Sequence, residues 1–283
     1  MKFLIPSITA FLTGLSAPTY ADPVNWTAGT FDMPESVIFD AAHDRLIVSV
    51  IQGNPADADG NGHLALLSPD GVVSNPQWVT GLDAPKGMAI VGQTLLVADL
   101  TRLHLIDLAT GTLQQSLDVE GAVFLNDITS DGEQAFVSDF VGNRIWHYQS
   151  GAVTAWLQDE ALAHPNGVLL DEGRLIVGSW GQGLREDFST ETAGALLAVD
   201  LETQAISTIA AGLGNLDGVA RIGDKFLVSD WMTGQLYEVG LDGTASVSAT
   251  YPTGLADIAA YGDTLLLPSM LEGSVSSLTY APN

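Results

Sequence analysis

The chain has 283 residues, 46% of them hydrophobic, with 30 glycines, no cysteine, and 9 Lys and Arg against 34 Asp and Glu, for a formal net charge of −25. The absence of cysteine excludes disulfides, thiolate metal sites, a cysteine nucleophile and lipidation at cysteine. The acidic balance repels nucleic acid and anionic membranes, and it lowers the cost of holding a divalent cation.

In chain order, Lys2 precedes an apolar run from Phe3 to Leu15, followed by Ser16 to Ala21 with small residues at Thr19 and Ala21. This is the pattern of a signal peptide, residues 1–21, cleaved after Ala21, and it predicts a periplasmic or secreted protein. The run is shorter than the about 20 apolar residues a membrane span needs. No later segment looks transmembrane, so no membrane association is expected after cleavage. Residues 22–283 read as one domain, expected to be a monomer.

The mature chain then repeats itself. Pro34 opens PESVIFDAAHDRLIVSV, Pro85 opens PKGMAIVGQTLLVADL, and Leu125 opens LNDITSDGEQAFVSDF. Pro165 opens PNGVLLDEGRLIVGSW, Leu216 opens LDGVARIGDKFLVSDW, and a weaker copy, ADIAAYGDTLLLPSM, starts at Ala256. Each copy holds two β-like runs around a turn, and further short runs follow it, such as Arg144–Tyr148 and Val153–Leu157. Copies near 40 residues apart with about four strands each predict a β-propeller. The anchors at the head of each copy are Glu35, Lys86, Asn126, Asn166, Asp217 and Ala256. Six anchors predict six blades. The last blade lacks an outer strand and Val24–Phe31 has no partner in its own unit, so an N-terminal strand at about 24–31 is expected to close the ring. Two longer spacings hold insertions, Gly53–His63 and Gln182–Ala193. The only helix-like stretch is Asp159–Ala163.

Propeller geometry brings residues just before the innermost strands to one mouth. The anchors therefore form a ring with two carboxylates and two amides, hard oxygen donors suited to Ca²⁺, Mg²⁺ or Mn²⁺. Zn²⁺ is less natural, because no His or Cys occupies an anchor. The Asn-Gly and Asp-Gly pairs also fit plain turn chemistry; Glu35-Ser36 does not.

Pro34-Glu35-Ser36, Asn126-Asp127, Pro165-Asn166-Gly167 and Leu216-Asp217-Gly218 resemble, in order and spacing, the regucalcin/gluconolactonase family of six-bladed propellers. The resemblance implies a metal-dependent hydrolase, exported by the signal peptide read above, that opens a lactone or related carboxylic ester with one divalent cation, Ca²⁺ first, in the central channel. It places the metal on Glu35, Asn166 and Asp217, with Asn126 at the water or substrate. Asp217 is then both ligand and general base, and the Asn126 amide holds the developing oxyanion. Phe124 stands where some members carry an Arg that grips a sugar, and Lys86 is an unusual second anchor; a less polar or an anionic lactone is the better expectation. Lys86 is assigned either to a substrate carboxylate or oxyanion, or to pairing with Glu35 and Asp217 in place of the cation. Trp180 and Trp231 are expected to wall an apolar pocket or to pack between blades. The alternative reading is a non-catalytic propeller that binds a ligand or protein, with a structural cation. Asp57, Asp59 and Asn61 resemble the start of an EF-hand calcium loop, but its twelfth position is Ser68 rather than Glu. Asp99, Asp139 and Asp230 are expected to accept backbone N–H groups, and His164 to edge the mouth.

Overall fold

The structure is a computed structural model, and it describes residues 24–280. The predicted signal peptide lies outside the described residues. Six antiparallel sheets surround one axis, each a blade of a β-propeller. Blade 1 runs Pro34–Asp40, Arg45–Val50, Gly62–Leu67, Val73–Leu82, from the axis outward. Blades 2 and 3 repeat this with innermost strands Pro85–Val91 and Leu125–Ser130, and blades 4 and 5 with Pro165–Asp171 and Leu216–Ile222. Blade 6 is completed from both ends of the chain. Its inner strands are Ala259–Tyr261, Thr264–Ser269 and Ser274–Thr279, and Val24–Gly29 adds the outer strand against Ser274–Thr279. The predicted closure is therefore observed, and it removes an exposed sheet edge.

The alternating pattern of the repeats explains the packing. Inner and second strands are buried on both faces, as in Arg45–Val50, so they read as near-continuous Val, Ile and Leu. Facing blades enclose separate apolar clusters, such as Ile47, Leu64, Met88, Leu95 and Val97 between blades 1 and 2. Outer strands are exposed, as Leu113–Asp118 shows.

Every innermost strand carries the same irregularity. Leu216 pairs with Asp230 but Val219 pairs with Val228, so one extra residue sits on the inner strand. The same shift occurs at Pro34/Val37, Pro85/Met88, Leu125/Ile128 and Pro165/Val168. Blade 6 repeats it, with Leu255 opposite Ser269 and Ala259 opposite Leu266. Such a bulge re-aims side chains at the end of a sheet. Five of the anchors lie inside these bulged strands rather than before them; Ala256 precedes Ala259–Tyr261. Asp159 caps a single 3-10 turn at Glu160–Leu162, accepting from Ala161 N.

Candidate metal centre at the head of the inner strands

The bulges leave backbone groups to be satisfied, and side chains of the second strands do this. Ser49, Ser138 and Ser229 Oγ accept from the N–H of Ser36, Asp127 and Gly218, the residues directly after an anchor. Ser138 and Ser229 also donate to the carbonyls of Asn166 and Ala256, the anchors of the next blades, at 2.7 and 2.8 Å. Ser138 and Ser229 thus each tie the anchor segment of their own blade to the anchor of the next.

Glycine permits the close approach this requires. A Cβ on Gly167 would stand 1.9 Å from the Asp217 carbonyl oxygen, one on Gly218 2.2 Å from Ile258 N, and one on Gly87 2.5 Å from Asp127 Cα. None of the three has a positive φ. The Asn-Gly and Asp-Gly pairs are therefore not turns: they lie in strands, and glycine is there because the next blade leaves no room for a side chain.

The six anchors meet at one end of the axis. Glu35 is 3% exposed, Lys86 2%, Asn126 8%, Asn166 2% and Asp217 5%. The Asn166 side chain hydrogen-bonds the Asp217 carboxylate, which favours its charged form. Burial, and then the charge of Asp257, nevertheless hold the Asp217 carboxyl well above the usual range. Burial, and then the charges of Asp217 and Asp257, do the same to Glu35. Glu35 Oε2 and Asn166 Oδ1 are buried and have no hydrogen-bond partner. Two orphaned oxygens beside a third oxygen donor, in a pocket with excess negative charge, fit a hard divalent cation: it would give both orphans a partner and relieve the like-charge repulsion. Among the described residues, no group of three or more His, Cys, Asp or Glu side chains is placed to hold a metal; the set here needs the Asn166 amide.

Two more carboxylates lie on the axis that sequence reasoning missed. Asp127 and Asp257 follow the anchors Asn126 and Ala256, and they hydrogen-bond each other. Asp127 accepts from Ile128 N at 2.6 Å and Val168 N at 2.7 Å. Burial pushes the Asp257 carboxyl up to about 6, although the neighbouring Ser36 hydroxyl and Asp127 pull it back. Burial and then Asp257 also raise Asp127 well above the usual range. Both line a cavity of about 200 Å³ along the axis, walled by Val37, Met88, Ile128, Val168 and Val219. The signal was present: the position after the anchor is Ser or Gly in the other four copies.

Lys86 Nζ donates to the carbonyls of Pro55 and Ala84, both at 2.9 Å, and lies 4.6 Å above the Phe124 ring. Among the described residues no ion pair joins it to Glu35 or Asp217, so the amine does not occupy the space between them. Burial lowers its pKa to about 8, opposed by the charges of Glu35 and Asp99. Pro55 belongs to the first insertion, which Lys86 thereby fastens to the mouth. In that insertion, Asp59 accepts from both Asn61 N and Asn61 Nδ2. Its carboxylate closes a local turn, and nothing further marks a calcium loop.

Aromatic side chains surround the ring. Phe124 lies 6.2 Å from Phe140, which lies 5.5 Å from Trp180 and from His164, and Trp180 is 6.2 Å from Trp231. His164 thus edges the mouth, its Nδ1 beside Phe140 O. Asp99 and Asp139 accept N–H groups of the segments leading into the anchors, Asp83–Ala84 and Val123–Phe124, whereas Asp230 holds the following turn at Met232 and Thr233.

No family model and no curated protein matches the chain. Among solved structures, it is similar to regucalcin, a calcium-binding protein from Agrobacterium tumefaciens, with TM-score 0.65 and 18% identity over 92% of this chain and 93% of that one. A protein assigned as a gluconolactonase gives TM-score 0.65 and 18% identity over 89% and 90%. Virginiamycin B lyase from Staphylococcus aureus gives 0.59 and 11% over 90% and 99%. At these identities the likeness establishes the six-bladed fold and nothing finer.

Proposed function

We propose that the protein is an exported, cation-dependent hydrolase of lactones or related carboxylic esters. The observation that carries this is the pair of buried, unpartnered oxygens, Glu35 Oε2 and Asn166 Oδ1, beside Asp217. Glu35, Asn166 and Asp217 would hold the cation, Ca²⁺ by the all-oxygen donor set. When bound, the cation polarises the ester carbonyl and raises the acidity of water.

The remaining chemistry belongs to the chain. A carboxylate oxygen of Asp217 takes a proton from the attacking water, whose oxygen bonds to the carbonyl carbon. Burial raises the proton affinity of Asp217, the direction that suits a general base. The Asn126 amide donates to the oxygen that gains negative charge. The ring C–O bond then breaks, and Asp217 returns its proton to the leaving alkoxide, giving the hydroxy acid. The net charge of −25 and the N-terminal apolar run support an exported small-molecule enzyme without nucleic-acid or membrane partners.

The test is a lactone panel with calcium or with EDTA, beside calcium calorimetry on wild type and Asp217→Ala. Turnover that EDTA abolishes and Asp217→Ala reduces at least about a hundredfold is expected. Calcium binding without any turnover would favour the ligand-binding propeller. Absence of calcium, zinc, magnesium and manganese binding would overturn both.

A further inference from the structure

The repeat register exposes a second set of six positions. The last residue of each second strand pairs beside the anchor: Val50, Asp99, Asp139, Ser179, Asp230 and Ser269. The residues that follow them are Ile51, Leu100, Phe140, Trp180, Trp231 and Met270. All six are apolar, although the anchors just below them are mostly polar. They form an apolar collar, in which Ile51, Phe140, Trp180 and Met270 are buried and Leu100 and Trp231 half-buried. Phe140, Trp180 and Trp231 touch ring to ring, while Ile51 and Met270 pack in one cluster with Ala84, the anchor Ala256, Leu100 and Trp231.

Two further side chains thicken it. Phe124 stacks under Lys86, and Phe188 comes from the second insertion to lie 6.3 Å from Phe140. Phe188 is held there by Trp180 Nε1, which donates to its carbonyl at 2.8 Å. Its φ of 62° is in the left-handed region, a conformation that a bulky residue adopts only under local constraint.

Two of the polar groups at this level are already engaged. Lys86 donates to two carbonyls, and Asn215 Nδ2 donates to Trp180 O and Thr190 Oγ1. A polyhydroxylated lactone entering the collar would leave hydroxyls desolvated without partners, at a cost on the order of tenfold in affinity for each. An alkyl or aryl substituent would lose nothing and gain contact area.

We infer that the substrate class is a lactone bearing an apolar substituent, received by the collar, and that Phe188 is a specificity-determining residue. The inference rests on the lactonase reading for its lactone half and on the collar for its apolar half. The test uses hydrolysis-resistant lactams, read by tryptophan fluorescence in calcium buffer: the δ-lactam with a pentyl chain, the unsubstituted δ-lactam, and the lactam of gluconic acid. The pentyl lactam should bind at least about tenfold more tightly than either of the others. Phe188→Ser should reduce that preference several-fold, and Leu100→Ser, across the collar, serves as a second variant, with melting curves checking that both fold. Equal binding of the three lactams, or preference for the gluconic lactam, would overturn the inference. Turnover of the matching lactones is measured in parallel. If the lactams rank as expected and no lactone turns over, the apolar specificity stands and the hydrolase reading falls. If gluconolactone is the preferred substrate, the hydrolase reading stands and the inference falls.

Discussion

Gly167→Ala is a demanding test of how the site is built. The new Cβ would lie 1.9 Å from the Asp217 carbonyl oxygen, whereas real Cβ atoms essentially never approach within 3.0 Å, a shortfall of about 1.1 Å. The obstructing atom is backbone of the next inner strand, so no side-chain rotation relieves it. Blades 4 and 5 must separate at the ring, pulling Asn166 from Asp217 and straining the bond from Val168 N to Asp127. Overpacking of this kind costs about 1–3 kcal/mol. Metal–ligand distances tolerate only about 0.2 Å, so calcium affinity should fall at least about tenfold, beyond the loss in stability. Gly29→Ala is the control: Gly29 has no positive φ and nothing within 4 Å of its added Cβ, and a change within about 0.5 kcal/mol is expected. Urea unfolding and calcium calorimetry read both quantities. A Gly167→Ala protein with wild-type stability and wild-type calcium affinity would refute the close-approach account and restore an ordinary turn as the reason for Asn-Gly.

Two more predictions follow from the charges on the axis. Burial raises Asp257 to about 6 from an ordinary 3.8, so the folded form keeps a proton that the unfolded chain has released. That contribution is complete below 3.8 and disappears as pH rises through 6, a loss of about 3 kcal/mol. Glu35, Asp127 and Asp217 shift in the same direction. The lowered carboxyls, such as Asp107 and Asp200, titrate below this window, and His63 and His147, lowered by burial, oppose the trend only below their ordinary value of 6.5. Melting in chelator should therefore fall from pH 5 to pH 8, and saturating calcium should shrink the difference; a rise in chelator would contradict the assignment. Lys86→Met leaves the Pro55 and Ala84 carbonyls without their donor, costing about 1–3 kcal/mol. Limited proteolysis should speed up within residues 53–61, and an unchanged cleavage rate would mean that Lys86 does not fasten the insertion.

The blades were legible because a repeat states its strand pattern many times, and a copy as weak as the one at Ala256 is rescued by its spacing. The anchors were legible for the same reason. Their glycines were not: sequence alone cannot distinguish a glycine that needs a positive φ from one that needs an empty Cβ position, and Gly87, Gly167 and Gly218 are of the second kind. Asp127 and Asp257 escaped because attention to one register position hid the next, while the bulge brings both to the axis. The partner of Lys86 is the carbonyl of Pro55, 31 residues away in an insertion, and no repeat alignment predicts where an insertion folds. Trp180 and Trp231 stood out individually as wall residues, but that all six equivalent positions are apolar emerges only once strand register is known.

The pairing of Val24–Gly29 with Ser274–Thr279 has a kinetic side. It joins segments about 250 residues apart, so closing the ring carries a large loop-closure cost, and folding should be slow for the size of the protein. Once formed, it turns a row of blades into a cycle. A row can lose an end blade by breaking one interface; a cycle must break two before any blade is released. The closing strand should therefore act more on the rate of unfolding than on the equilibrium, so that the protein would resist proteolysis through persistence rather than through large free energy.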